Sequence, residues 1–139
     1  MKLRKTLYFF LLCLFNFSCE SVDKKSEFIG IWESTNDFTG KTVLSFYKDS
    51  IITEGFGGGF RTSSEWSVDS TKLYLKNIRQ FYPYINTDSV IKISLDYEYR
   101  LNPTKDSLMI TVVQEDTIYS VSFIQVDKNP FAQTNPFNN

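Results

Sequence analysis

Histidine is absent from this chain of 139 residues, and cysteine occurs only twice, as Cys13 and Cys19. Without histidine there is no Ser-His-Asp triad, no Cys-His pair and no imidazole ligand for a metal. Two cysteines cannot build a disulfide framework or a cysteine-based zinc site. Glycine and proline are scarce as well, at six and four residues. Four of the glycines are spent in one segment, EGFGGGF at 54–60, so the usual chain breakers leave most of the sequence uninterrupted. A long apolar run is also missing. A membrane-crossing helix needs about 18 to 20 apolar residues, whereas the charge-free N-terminal stretch runs only from Thr6 to Cys19 and includes Asn16.

What the N-terminus does contain is an ordered series: Lys2, Arg4 and Lys5, an apolar block from Leu7 to Phe15, then Ser18 before Cys19. Positive charge, apolar block and small residue, in that order, mark an export signal. Cys19 resembles the lipobox cysteine of bacterial lipoproteins, with Ser18 in the small position before it; Asn16 and Phe17 depart from the usual aliphatic and small residues. The resemblance implies cleavage after residue 18 and attachment of lipid to Cys19, and with it a place in the bacterial cell envelope outside the cytoplasm, at the outer membrane. More than one acyl chain is needed for stable anchoring, which is what such a modified cysteine carries. Cys13 falls in the segment to be removed, so Cys19 is left without a thiol partner and its role is attachment.

Removing residues 1–18 takes three basic residues and no acidic one from totals of 15 and 16, which leaves a net charge of minus 4. Nucleic acid is not the expected partner of such a surface. The remainder is long enough for one domain with one core.

The polar stretch ESVDKKSE follows the cysteine, so 19–27 reads as a flexible tether. The tail from 128 to 139 carries two Asn-Pro-Phe triplets and little periodicity, and the triplets read as Asn-Pro turns. Between them, 28–127 is dominated by strand signal. Ile91, Ile93, Leu95, Tyr97, Tyr99 and Leu101 alternate with Lys92, Ser94, Asp96, Glu98 and Arg100, which puts one face in a core and the other in water. Phe60, Trp66 and Val68 stand opposite Arg61, Glu65 and Ser67 in the same way, and Leu73 with Leu75 forms a shorter case.

Asp49-Ser50, Asp69-Ser70, Asp88-Ser89, Asp106-Ser107 and Asp116-Thr117 each precede an apolar strand, and such side chains satisfy backbone N–H groups at corners. Eight strands follow, near 28–35, 42–48, 50–56, 60–68, 72–77, 89–101, 107–114 and 117–126. The expected fold is all-β, an antiparallel up-and-down meander closing into a barrel, because closure removes exposed edges. A two-sheet sandwich or a more open barrel is the alternative.

Gly30-Ile31-Trp32 at the start of the first strand resembles the G-x-W signature of lipocalins. The resemblance implies that Gly30 and Trp32 are structural, the glycine permitting a close turn and the tryptophan plugging one end of the barrel. The chain departs from that family in lacking a Thr-Asp pair between the sixth and seventh strands and an arginine after the last strand. The likeness is closest to compact lipocalin-like domains of bacterial lipoproteins.

For function, the barrel interior is the expected site. Phe56 and Phe60 in the glycine-rich hairpin read as flaps over its mouth, with Trp66, Tyr97 and Tyr99 as candidate lining for a small apolar or amphipathic ligand. Plain hairpin chemistry is the alternative for 54–60, and nothing after it suits a phosphate loop. Phe81, Tyr82 and Tyr84, set around Pro83 in a loop, read as a plug folded over one end, or as an exposed aromatic grip on a partner. Glu33, Glu54 and Glu65 are the only acid–base candidates, and the outer faces of strands explain them more simply than a glycosidase pair does. No enzyme activity, cofactor or metal is expected. An alternative function is that of an interaction or inhibitor protein of the envelope, in which Trp32, Trp66, Phe46 and Tyr97 fill the barrel and loops meet a protein partner.

Overall fold

The computed structural model describes residues 23–35, 40–55, 59–82 and 87–132. Cys19, Phe56, Tyr84 and the second Asn-Pro-Phe triplet lie outside the described residues. Nine strands follow a short 3-10 helix, Lys24–Glu27: β1 (Gly30–Ser34), β2 (Val43–Phe46), β3 (Ser50–Gly55), β4 (Phe60–Val68), β5 (Lys72–Tyr82), β6 (Thr87–Ile91), β7 (Leu95–Leu101), β8 (Ser107–Gln114) and β9 (Thr117–Val126). All pair antiparallel, and eight of them form a ring in the order β1-β2-β3-β4-β5-β7-β8-β9. The ring closes where β9 returns to β1, with Ile31 opposite Val126 and Ser34 opposite Phe123. The protein is therefore a closed up-and-down barrel, as the meander pattern predicts, and not a sandwich. β6 stands outside the ring on the upper part of β5.

Three details differ from the strand reading, and two irregularities accompany them, one at Asn77 and one at 92–94. β5 extends to Tyr82 instead of ending near 77, so Phe81 and Tyr82 are strand residues rather than loop residues. The single strand expected over 89–101 is two strands separated by Lys92–Ser94. Asp88 and Ser89 stand opposite Phe81 and Gln80 in the β5–β6 ladder, not at a corner. The first is Asn77, whose φ is 52°, a left-handed conformation that Asn tolerates better than most residues. Ser63 faces Arg79 but Glu65 faces Lys76, so β5 carries one extra residue against β4, the signature of a bulge. On its other edge Leu75 faces Leu95 while Ile78 faces Ile91. The β6–β7 segment holds the extra residue there, and it leaves the ladder over 92–94.

At one end of the barrel the 3-10 helix meets strand β4 and the turns after β2 and β7, through Lys25 on Trp66, Lys25 on the Lys48 carbonyl and Glu27 on Lys105, and this end is closed. Phe28, fully buried, lies 5.5 Å from Phe46, 5.9 Å from Trp66 and 5.0 Å from Tyr99 between ring centroids, with the Tyr99 contact edge-on. Trp66 meets Phe46 edge-on at 4.9 Å. Such tilted and edge-to-face contacts suit the ring quadrupoles. The two indoles are also polar-satisfied: Trp32 Nε1 donates to the Phe28 carbonyl and Trp66 Nε1 to the Tyr47 carbonyl, each at 2.8 Å. Lys25 of the 3-10 helix places its ammonium 4.6 Å above the Trp66 ring and donates to the Lys48 carbonyl at 2.8 Å. The stretch read as tether is thus docked from Asp23 onward, where Asp23 caps the helix by accepting from the Lys25 N–H.

Of the closed-end corners, the one after β4 is built as its Asp predicts, whereas after β7 it is Asn102 Oδ1 that accepts from the Asp106 and Ser107 N–H groups, each at 3.0 Å. Asp69 accepts from the Thr71 and Lys72 N–H groups at 2.8 and 2.7 Å and from the Tyr74 hydroxyl at 2.7 Å. These bonds, the Thr71 N–H first, hold its carboxyl down at about 2. Asn102 and Thr104 likewise lower the Asp106 carboxyl by hydrogen bonding to it.

Candidate functional site

Alternation and register place Trp32, Leu44, Phe46, Ile51, Trp66, Leu73, Tyr99, Leu108, Ile110 and Phe123 inside the closed half. All of these except Tyr99 are buried. The opposite half has a different interior. Thr53 faces Thr62 across β3 and β4, and Thr62 faces Gln80 across β4 and β5, all three only half-buried. Across the barrel from this hydroxyl-bearing wall, Leu75, Leu95, Tyr97, Val112 and Val121 supply an apolar wall, also half-buried, with Tyr119 40% exposed. The interior of this half thus combines a polar wall, an apolar wall and incomplete burial, the arrangement that a cup open to solvent would have. Burial, then the neighbouring Tyr119, pushes the Tyr97 hydroxyl above the usual tyrosine range, so it stays a neutral donor.

The residues expected to line a ligand site divide between the halves. Trp66 and Tyr99 belong to the closed-end core, and the Tyr99 hydroxyl is fixed at 2.7 Å on the Asp69 carbonyl. Tyr97 lies in the cup. Phe60, half-buried opposite Gly55, stands at its rim, and Phe56 lies outside the described residues. Trp32 is fully buried at the closed end. Gly30 adopts φ +140°, and a Cβ there would meet Gln125 Nε2 at 2.5 Å. This glycine therefore serves both a backbone conformation and a close approach.

Glu33, Glu54 and Glu65 all point outward and are dispersed over three strands. Glu33 pairs with Lys41, Glu54 accepts from Asn129, and Glu65 accepts from Asn77 at 2.9 Å. They form no paired acid–base site. Among the described residues, no group of three or more Cys, Asp or Glu side chains converges as metal ligands would.

The outer wall carries a feature that alternation alone does not flag. Ile52, Ser63 and Arg79 occupy one row across β3, β4 and β5, and Glu54, Arg61 and Phe81 occupy the next. Ile52, Arg61, Thr62, Ser63, Arg79 and Phe81 line a groove of about 380 Å³. The tail closes one side of this surface. Asn129 Nδ2 donates to Glu54 Oε2, while Asn129 Oδ1 accepts from the Phe131 N–H at 2.8 Å and its carbonyl accepts from the Ala132 N–H at 3.2 Å. The first Asn-Pro-Phe triplet is thus a turn bonded to the barrel wall. In sequence, Arg61 reads with Glu65 and Ser67 as the outward face of its strand; only the extension of β5 past Asn77 brings Arg79 and Phe81 beside it.

Comparison of the chain with protein-family models, with curated proteins and with solved structures gives no match.

Proposed function

We propose that this protein is an envelope lipoprotein, tethered through lipid on Cys19, whose barrel holds a small amphipathic ligand in the open half of its interior. The observation that carries the reading is the division of that half: Thr53, Thr62 and Gln80 on one wall, Leu75, Tyr97, Val112 and Val121 on the other, all half-buried. A ligand with one polar and one apolar side fits such a cup, and barrels of eight strands have room for one small ligand at most. The aromatic core of the closed half restricts the site to the open half and keeps the ligand short. Nothing in this reading calls for catalysis.

A second reading, a non-enzymatic interaction or inhibitor protein, is favoured by a separate observation. Val90 (59%), Ile93 (49%), Val113 (67%) and Ile118 (70%) are exposed apolar side chains on or next to the upper strands β6, β8 and β9, and exposed apolar clusters mark contact surfaces. Native mass spectrometry of the intact protein, released from its host in mild detergent, separates the two. A stoichiometric small-molecule adduct that is lost on Tyr97→Ala supports the cup. A bare mass with a co-purifying protein whose binding Val113→Asp abolishes supports the contact surface. The Cys19 anchor is tested apart from either, since Cys19→Ala should release the protein from the membrane fraction, and unchanged partitioning overturns the lipid tether.

A further inference from the structure

We infer that the groove on the outer wall between β3, β4 and β5 is a second binding site, one that takes an oxyanion, carboxylate or phosphate, carried on a small body with an apolar face. It lies on the outer wall and shares only Thr62 with the cup.

The case rests on Arg61. Its side chain is half-buried, and its direct cross-strand neighbour on the outer face is Glu54, the partner that such a pair would ordinarily engage. Glu54 is occupied instead by Asn129 of the tail. Among the described residues, nothing pairs with the Arg61 guanidinium. A guanidinium presents several donors in a planar fork that matches a carboxylate or phosphate, and holding one half-buried and unpaired beside an acid that is bonded to Asn129 leaves that fork unmatched.

The surroundings fit an anion better than a second protein cation. Arg79 sits diagonally from Arg61 on the same face, since Arg79 is opposite Ser63 and Arg61 is opposite Phe81. Diagonal neighbours of this kind lie about 7 to 8 Å apart at Cα, so two like charges share the groove. Arg79 has interactions of its own and contributes field rather than an open fork. Ser63 adds a hydroxyl between them. Ile52 and Phe81 form the apolar flank, on which a ring or short chain can rest. A volume of about 380 Å³ is near the low end for small-molecule sites, which limits the ligand to one ring or its equivalent.

Asn129 has a positioning role here. By holding Glu54, it prevents an internal carboxylate from taking the place of the ligand.

The test uses the full chain in zwitterionic detergent, with arginine side-chain and amide NMR shifts followed during titration with glucuronate, glucose or inorganic phosphate, and with co-sedimentation on phosphatidylglycerol vesicles. Saturable shifts at residues 61–63 and 79–81 with glucuronate and none with glucose assign a soluble organic acid. Vesicle binding that Arg61→Gln removes, with glucuronate silent, assigns the headgroup of an anionic lipid. Phosphate binding as tightly as glucuronate overturns the apolar flank. Arg61→Gln should weaken whichever probe binds on the order of tenfold, with the amide spectrum otherwise retained. Asn129→Leu should weaken it severalfold, and adding Glu54→Gln should restore it, because a neutral amide cannot compete for the guanidinium. Binding that survives Arg61→Gln, or no saturable response to any probe, overturns the site.

Discussion

The closed and open halves of the barrel share the same eight ring strands, yet a residue facing inward meets opposite conditions in each. In the closed half, Phe28, Trp32 and Leu108 have no exposed surface, and aromatic rings meet in tilted and edge-to-face contacts. In the open half, inward positions are only half-buried, with Thr53, Thr62 and Gln80 on one wall and Leu75, Tyr97, Val112 and Val121 on the other. Burial is thus graded along the barrel axis, with stability concentrated at one end and solvent access at the other. The lesson is that a closed ring of strands does not by itself make a container: the side chains decide which part of it is solid.

That gradient can be broken most forcefully at Phe28. Phe28→Ala removes the ring that touches Phe46, Trp66 and Tyr99, and should cost about 3 to 5 kcal/mol, read as a shift of the urea midpoint. Tyr97→Leu in the open half should cost less than about 1.5 kcal/mol. Equal costs would abolish the distinction between the halves. Next in size is Gly30→Ala, about 1 to 3 kcal/mol for the strained φ. Trimming the side chain at Gln125 should recover only the contact part, because the backbone conformation is unchanged.

Asn77→Ala should cost about 1 to 2 kcal/mol through its left-handed φ, and Asn77→Gly much less. If Asn77→Ala instead realigns β5, amide contacts of β6 with Ile78–Tyr82 will change register. The smallest effect is acid sensitivity at the closed end. The Asp69 carboxyl is held at about 2 in the folded chain, below its unfolded value near 3.9. Its contribution is therefore fully present above about pH 4 and is lost as pH falls from there through about 2. Thermal unfolding over that window should show a drop that Asp69→Ala flattens.

Strand periodicity makes the ring legible, because Leu95, Tyr97, Tyr99 and Leu101 can face a core only if their strand alternates. The Asp-Ser corners are legible for a related reason: at Asp69 and Asp106 the side chain bonds locally, so the signal needs no distant partner. Asp88-Ser89 misleads because the same residue pair also fits an outlying strand. The bulge at Asn77 leaves one trace, the spacing of Leu75 and Ile78 by three residues instead of two, with Asn between. The cup is less accessible to such reasoning. Trp66 and Tyr97 have the same inward orientation in sequence, and only the packing of Phe28 against the first separates core from cavity wall. The outer groove depends on a contact between residues 54 and 129 that no local pattern encodes.

The docking of the 3-10 helix has a mechanical consequence. A pull on the chain before Asp23 does not meet loose polypeptide. Before it can load β1 it must lift Lys25 off Trp66, break the bond from Trp32 Nε1 to the Phe28 carbonyl and draw Phe28 out from among Phe46, Trp66 and Tyr99. Force arriving at the N-terminus is therefore carried first by the most densely packed part of the molecule, leaving the open half the last to feel it.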